Sequence, residues 1–306
     1  MRSQKTNIFS FSIFVLCLWF ITTSASGLEK KSVQNSNNNP VVAQSARPEH
    51  IELNVPDPLA MIKWYTKNMG MIVIRQGSAP NYSSFIADSG RHMMLEIAHY
   101  DEYPPIDMPK ANHMSLHLAF MVKDIAAVKE KLIIEKATVA DDITTSPSGD
   151  KVLVLRDPWG FPIQFVERQN QMLKYSKMRP EHFELNLTDS RAKADWYIEN
   201  LGLKIVRKGG APSFGFFLTD VKDNMMLELN QDARYPVLEF EKINYNSFHV
   251  AFVVDDVKAM RDKLISAGAK LAEELKTTPA GDQVVMLRDP WGQPIQFVKR
   301  VNPMLK

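Results

Sequence analysis

The chain has 306 residues, with 37 basic against 35 acidic side chains and 45% hydrophobic residues. No basic stripe offers a phosphate-binding surface, which sets nucleic acid aside as a partner, and the apolar share is enough for ordinary cores. The one cysteine, Cys17, leaves no scope for a disulfide framework, a thiolate metal site or a cysteine nucleophile further along.

In chain order, the first element is a secretory signal peptide at 1–26. Arg2 and Lys5 precede an apolar run, and small polar residues follow at Thr23, Ser24, Ala25 and Ser26. The run is shorter than the roughly 20 residues that span a bilayer. Cleavage after Ala25 or Ser26 would give an exported protein, periplasmic or secreted, with near-zero net charge, no cysteine and no stable membrane association. Residues 27–46 are polar and Asn-rich (Asn35, Asn37, Asn38, Asn39) and read as a flexible leader.

From Arg47 the sequence repeats itself. Laying Arg47-Pro48-Glu49-His50 on Arg179-Pro180-Glu181-His182 aligns the rest without a gap to Lys306, with close to half of the positions identical. This is a tandem duplication. The copies, 47–174 and 175–306, are far longer than solenoid repeats, so each is expected to be a domain with its own core, joined near Tyr175-Ser176-Lys177.

Each copy contains a half-length echo. His50 to Asp57 resembles His117 to Asp124, and the pattern returns as His182 to Asp189 and His249 to Asp256. Each piece reads as a half-buried strand that ends at an Asp and leads into a helix. Asp57 suits an N-cap, Pro58 the first helical position and Gly70 a left-handed stop. Strand-like runs follow at 71–75, 83–87 and 93–97, and in the second module at 152–155 and 162–166 after a less clear stretch. Four βαβββ modules of an α+β fold result. A lone module would leave one face of its sheet bare, so modules should pair, either within a copy or across the two.

The histidine that heads each module is matched by an oxygen-bearing residue in its last strand: Glu96, Gln164, Glu228 and Gln296, at nearly constant offset. Two paired modules therefore offer His, Glu, His and Gln. Nitrogen and oxygen donors without thiolate suit a divalent ion such as Zn, Ni, Fe, Mn or Co. Glu52 and Asn54, with Glu184 and Asn186, share a strand face with the histidine by period-two alternation. They would line the pocket, orient the imidazole, or lie on an exposed edge. His92, His99 and His113 have no histidine counterpart in the other copy and receive no role. The Met93-Met94 and Met225-Met226 pairs read as core and pocket wall.

The pattern resembles the vicinal oxygen chelate superfamily, which includes glyoxalase I, bleomycin resistance proteins and extradiol dioxygenases. The likeness covers Arg47 to the end. It rests on the module-heading histidine with its Val or Leu and Asp, on Trp64-Tyr65 to Gly70, and on Asp157-Pro158-Trp159-Gly160 with its copy Asp289-Pro290-Trp291-Gly292. The resemblance implies metal donors at His50, Glu96, His117 and Gln164, and at His182, Glu228, His249 and Gln296. It departs from the family where the second module's last strand carries Gln instead of Glu. Asn54 and Asn186 also stand where glyoxalase I has the arginine that holds a glutathione carboxylate.

The implied activity is a glyoxalase-type lyase or isomerase. It would act on a small oxygen-chelating substrate through an enediolate, with Glu96 and Glu228 as candidate bases. An Fe(II) or Mn(II) extradiol-type dioxygenase is the alternative, and a metal- or small-molecule-binding protein without turnover is the third. A monomer or a homodimer is expected.

Overall fold

The aspartates that close the four histidine-headed patterns are the caps of the four α-helices among the described residues. Asp57, Asp124, Asp189 and Asp256 each accept a hydrogen bond from the backbone N–H three residues on. They open α1 Pro58–Met69, α2 Ile125–Ile134, α3 Ser190–Leu201 and α4 Val257–Ser266. Gly70 and Gly202 end α1 and α3 at φ of 67° and 72°, where a Cβ would be strained. The computed structural model describes residues 45–174, 177–211 and 213–306. The expected signal peptide, nearly all of the expected leader and part of the joint between copies lie outside the described residues.

The first module comprises β1 Arg47–Asn54, α1, β2 Ile72–Arg75, β3 Ser84–Ala87 and β4 Met94–Ala98. The second has β5 Leu116–Met121, α2, β6 Thr138–Thr145, β7 Lys151–Arg156 and β8 Pro162–Glu167. The third has β9 Arg179–Asn186, α3, β10 Lys204–Lys208, β11 Phe216–Thr219 and β12 Met226–Asn230. The fourth has β13 Phe248–Val253, α4, β14 Lys270–Thr277, β15 Gln283–Arg288 and β16 Pro294–Lys299. Among the described residues no helix is long and apolar enough to cross a membrane.

Two eight-stranded sheets form, ordered β14-β15-β16-β13-β1-β4-β3-β2 and β10-β11-β12-β9-β5-β8-β7-β6. Modules therefore pair across the copies, first with fourth and second with third. The joining seams are antiparallel, β1 on β13 and β5 on β9. The stretch from β8 to β9, which joins the paired second and third modules, is shorter than that from β4 to β5, whose modules lie in different sheets.

The expectation of a separate core in each copy is corrected accordingly. Ile51 and Leu53 of β1, Leu118 of β5, Phe183 and Leu185 of β9 and Phe248 and Val250 of β13 belong to one continuous apolar core with all four helices. The Phe183 and Phe248 rings meet across the two sheets at 5.7 Å. Alternation sends His50, Glu52 and Asn54 to the opposite face of β1. The β6 strand eluded the pattern because it lies at a sheet edge, is largely exposed and shifts register twice.

Candidate metal centres

Four adjacent strands build each centre. In the first, Glu96 lies on β4, His50 and Glu52 on β1, His249 on β13 and Gln296 on β16. Cross-strand register places Glu52 directly between Glu96 and His249, and His50 opposite Ala251, which in turn faces Gln296. The second centre repeats the arrangement with Glu228 on β12, His182 and Glu184 on β9, His117 on β5 and Gln164 on β8. The in-copy grouping of His50 with His117, and of His182 with His249, is thereby corrected. His50 meets His249, and His117 meets His182.

In the first centre His50 Nε2 lies 3.1 Å from Glu96 Oε2 and 3.3 Å from His249 Nε2. Hydrogen bonding fixes the tautomers. His50 Nδ1 donates to Glu49 at 2.9 Å, and His249 Nδ1 donates to the Tyr245 carbonyl at 2.8 Å. His249 Nε2 thus presents its lone pair to His50 Nε2, which also faces Glu96, and a divalent ion among the three would displace any proton that His50 holds there. Ligand atoms around an octahedral ion at about 2.1 Å stand about 3.0 Å apart, the spacing seen here.

The second centre has His182 Nε2 at 3.0 Å from Glu228 Oε2 and His117 Nε2 at 3.3 Å from Glu184 Oε2. His182 Nδ1 donates to Glu181 and His117 Nδ1 to the His113 carbonyl. Although these separations are short, His117 Nε2, His182 Nε2 and Glu184 Oε1 are buried with no hydrogen-bond partner, as is Glu52 Oε1 in the first centre. Buried polar atoms are normally satisfied, and four orphans aimed into two such clusters fit divalent ions. His50, Glu96 and His249 group within coordination reach of one another, and so do His117, His182 and Glu184.

The electrostatics differ between centres. Burial opposes ionisation of Glu96, but the hydrogen bond from His50 and the neighbouring His249 and Ser83 hold its pKa down at about 2. Burial and then the Glu96 charge push Glu52 well up. In the second centre burial raises Glu184 to about 7, and burial with the Glu184 charge raises Glu228 well above the carboxylate range. Burial lowers His249 and His117 to about 4, so both rings are neutral and able to ligate at neutral pH.

Sequence reading missed the groups behind the histidines. Glu49 is clamped by Arg300, which also holds Asp282. Glu181 is clamped by Arg168, which also holds Asp150. Strict alternation would turn Glu49 away from His50, yet a bulge between Pro48 and His50, and its equivalent beside Glu181, brings consecutive side chains together. The signal was present in both copies as a Glu directly before the histidine.

Asn54 and Asn186 do not orient imidazoles. Asn54 Nδ2 donates to the Tyr100 and Tyr103 carbonyls, and Asn186 Nδ2 to those of Asp232 and Tyr235. They clamp the loops that follow β4 and β12. Glu52, Asn54, Glu184 and Asn186 are all buried, which rules out the exposed edge. Met93 and Met225 belong to the main core, while Met94 and Met226 pack on the side of the centres with Met304 and Leu305, and with Met172 and Leu173.

The family model of the Glyoxalase/Bleomycin resistance protein/Dioxygenase superfamily matches residues 47–165 and 179–297. The chain belongs to that superfamily. This member is similar in fold to glyoxalase I from Zea mays, with a TM-score of 0.67 at 20% identity over 84% of this chain and 93% of the other. It is also similar to a putative dioxygenase from Bacillus subtilis subsp. subtilis str. 168, with a TM-score of 0.60 at 13% identity over 86% and 88% of the two chains. No curated protein sequence matches this superfamily member significantly.

Proposed function

We propose that the protein is a metal-dependent lyase or isomerase of glyoxalase type, acting on a small substrate with two adjacent oxygens. The observation that supports it is the convergence of imidazole Nε2 atoms and carboxylate oxygens at ligand–ligand spacing, with His117 Nε2 and His182 Nε2 left unpartnered. The residues to hold a divalent ion are His50, Glu96 and His249 in one centre, and His117 and His182 with Glu184 and Glu228 in the other. Gln296 and Gln164 lie on the same sheet faces, one strand beyond. Such an ion would supply Lewis-acid stabilisation to the oxyanion of an enediolate.

The chain's own part is to hold and move the α-proton. Glu96 is tied to His50 and Ser83, and so serves best as a holding group. Its neighbour Glu52 keeps Oε1 unpartnered and is the better placed acceptor for a proton; Glu184 Oε1 is its equivalent. Both centres are largely buried, with only Glu96 and Glu228 reaching solvent, which limits water around a carbanion-like intermediate. Asn54 and Asn186 are engaged with loop backbone, so those strand positions offer no cation to a glutathione carboxylate.

Deuterium wash-in at the α-carbon of small α-hydroxyketones such as dihydroxyacetone tests this reading. Exchange by the metal-loaded protein, abolished by chelation and by Glu52→Gln with Glu184→Gln, supports it. Metal binding without any exchange would leave a binding protein. The set His50, His249 and Glu96 is also the donor set of a facial triad. Oxygen uptake with catechols, in place of exchange, would give the reaction to the dioxygenase reading. Export is a further part of the proposal, supported by the order of residues 1–26, and a secreted chain starting at Ser26 or Gly27 by intact mass would bear it out.

A further inference from the structure

The duplication allows each centre to be compared with its own copy, and two of the differences meet at one carboxylate. In the first centre Ser83 Oγ donates to Glu96 Oε1 at 2.5 Å, which leaves Oε2 directed at His50. The equivalent position in the second centre is Gly215, which has no side chain to donate. A Cβ on Gly215 would meet Asn230 Oδ1 at 2.7 Å and Glu228 Oε1 at 3.5 Å. Asn230 in turn stands where the first centre has Ala98. The two differences are therefore linked by space. Serine with alanine fits one centre, and glycine with asparagine fits the other.

We propose that the two centres are unequal metal sites, that the His50–Glu96–His249 centre takes up its divalent ion first, and that Ser83 is the positioning residue responsible. The inference rests on the metal reading above. Its physical basis is preorganisation. A carboxylate whose second oxygen is already held presents the first in a fixed direction, and loss of such an outer partner typically costs about 10- to 100-fold in metal affinity. Glu228 has no hydroxyl at the Ser83 position, and Asn230 occupies the room that a serine there would need.

The test is equilibrium dialysis of Co(II) alone into metal-stripped full-length protein, one centre at a time. His117→Ala with His182→Ala leaves the first centre, and His50→Ala with His249→Ala leaves the second. The first is expected to bind with a Kd lower by about 10- to 100-fold. Ser83→Ala should remove that advantage and Ser83→Thr should retain it. Gly215→Ser with Asn230→Ala should confer it on the second centre, an effect that a folding defect does not produce. Equal affinities in the two backgrounds, or an unchanged first centre in Ser83→Ala, overturn the inference while leaving the metal reading intact. No Co(II) uptake in either background overturns both.

Discussion

Around Glu52 and Glu96 the protein places Tyr100 near the first and the Ser83 hydroxyl on the second. Around Glu184 and Glu228 the equivalent positions are Asp232 and Gly215, and Asn230 approaches Glu184 instead. Asp232 pairs with Arg234. Behind the histidines the two centres are alike. Glu49–Arg300–Asp282 and Glu181–Arg168–Asp150 are the same brace with the same atoms in contact. The parts that fix imidazole direction have thus been kept in both copies, while the parts that hold the carboxylates have diverged.

That division can be broken most severely at the brace. Arg300→Met or Arg168→Met would strand a buried carboxylate, a change that costs about 3–5 kcal/mol. Denaturant unfolding should show similar losses for the two variants, and a large difference would mean that the braces are not equivalent.

A second contrast lies beneath the helices. Asp157 receives the Tyr65 hydroxyl beside Met61, whereas Asp289 receives Tyr197 and also the ammonium of Lys193, which stands at the Met61 position and is fully buried. Burial raises Asp157 from 3.8 to about 6. The folded state thus holds its proton more tightly than the unfolded state. The resulting stability is complete below about pH 4 and is lost as pH rises through about 6, up to roughly 3 kcal/mol. Asp157→Asn should flatten that part of the pH–stability profile, as measured by urea unfolding at several pH values.

Smaller effects sharpen the comparison further. Asn54→Ala and Asn186→Ala each free two or more loop carbonyls and a loop N–H, for a loss of about 1–3 kcal/mol. Faster hydrogen exchange at Tyr100 and at Asp232 respectively would report it. Removing the caps by Asp57→Ala or Asp189→Ala should cost about 1 kcal/mol each, alike in both copies by thermal unfolding.

Much of this was legible in the residues. The His-to-Asp pattern marked strand, cap and helix four times over, and alternation put Glu52 and Asn54 on the histidine face. The partner of each module was not legible, because the four seam strands carry nearly the same pattern. Glu49 and Glu181 escaped because a bulge breaks the alternation on which the reading depended. The place of Glu52 between Glu96 and His249 escaped for another reason. Its neighbours Glu96 and His249 come from different copies, and only the cross-copy seam places it between them.

The cross-copy seam is most directly tested by metal content per chain in paired variants. His50→Ala with His249→Ala should remove one equivalent of Co(II) and leave the other, because both residues serve one centre. His50→Ala with His117→Ala should damage both centres and abolish tight uptake. The opposite pattern, with one equivalent surviving the loss of His50 and His117 and none surviving the loss of His50 and His249, would contradict the pairing of modules across the copies.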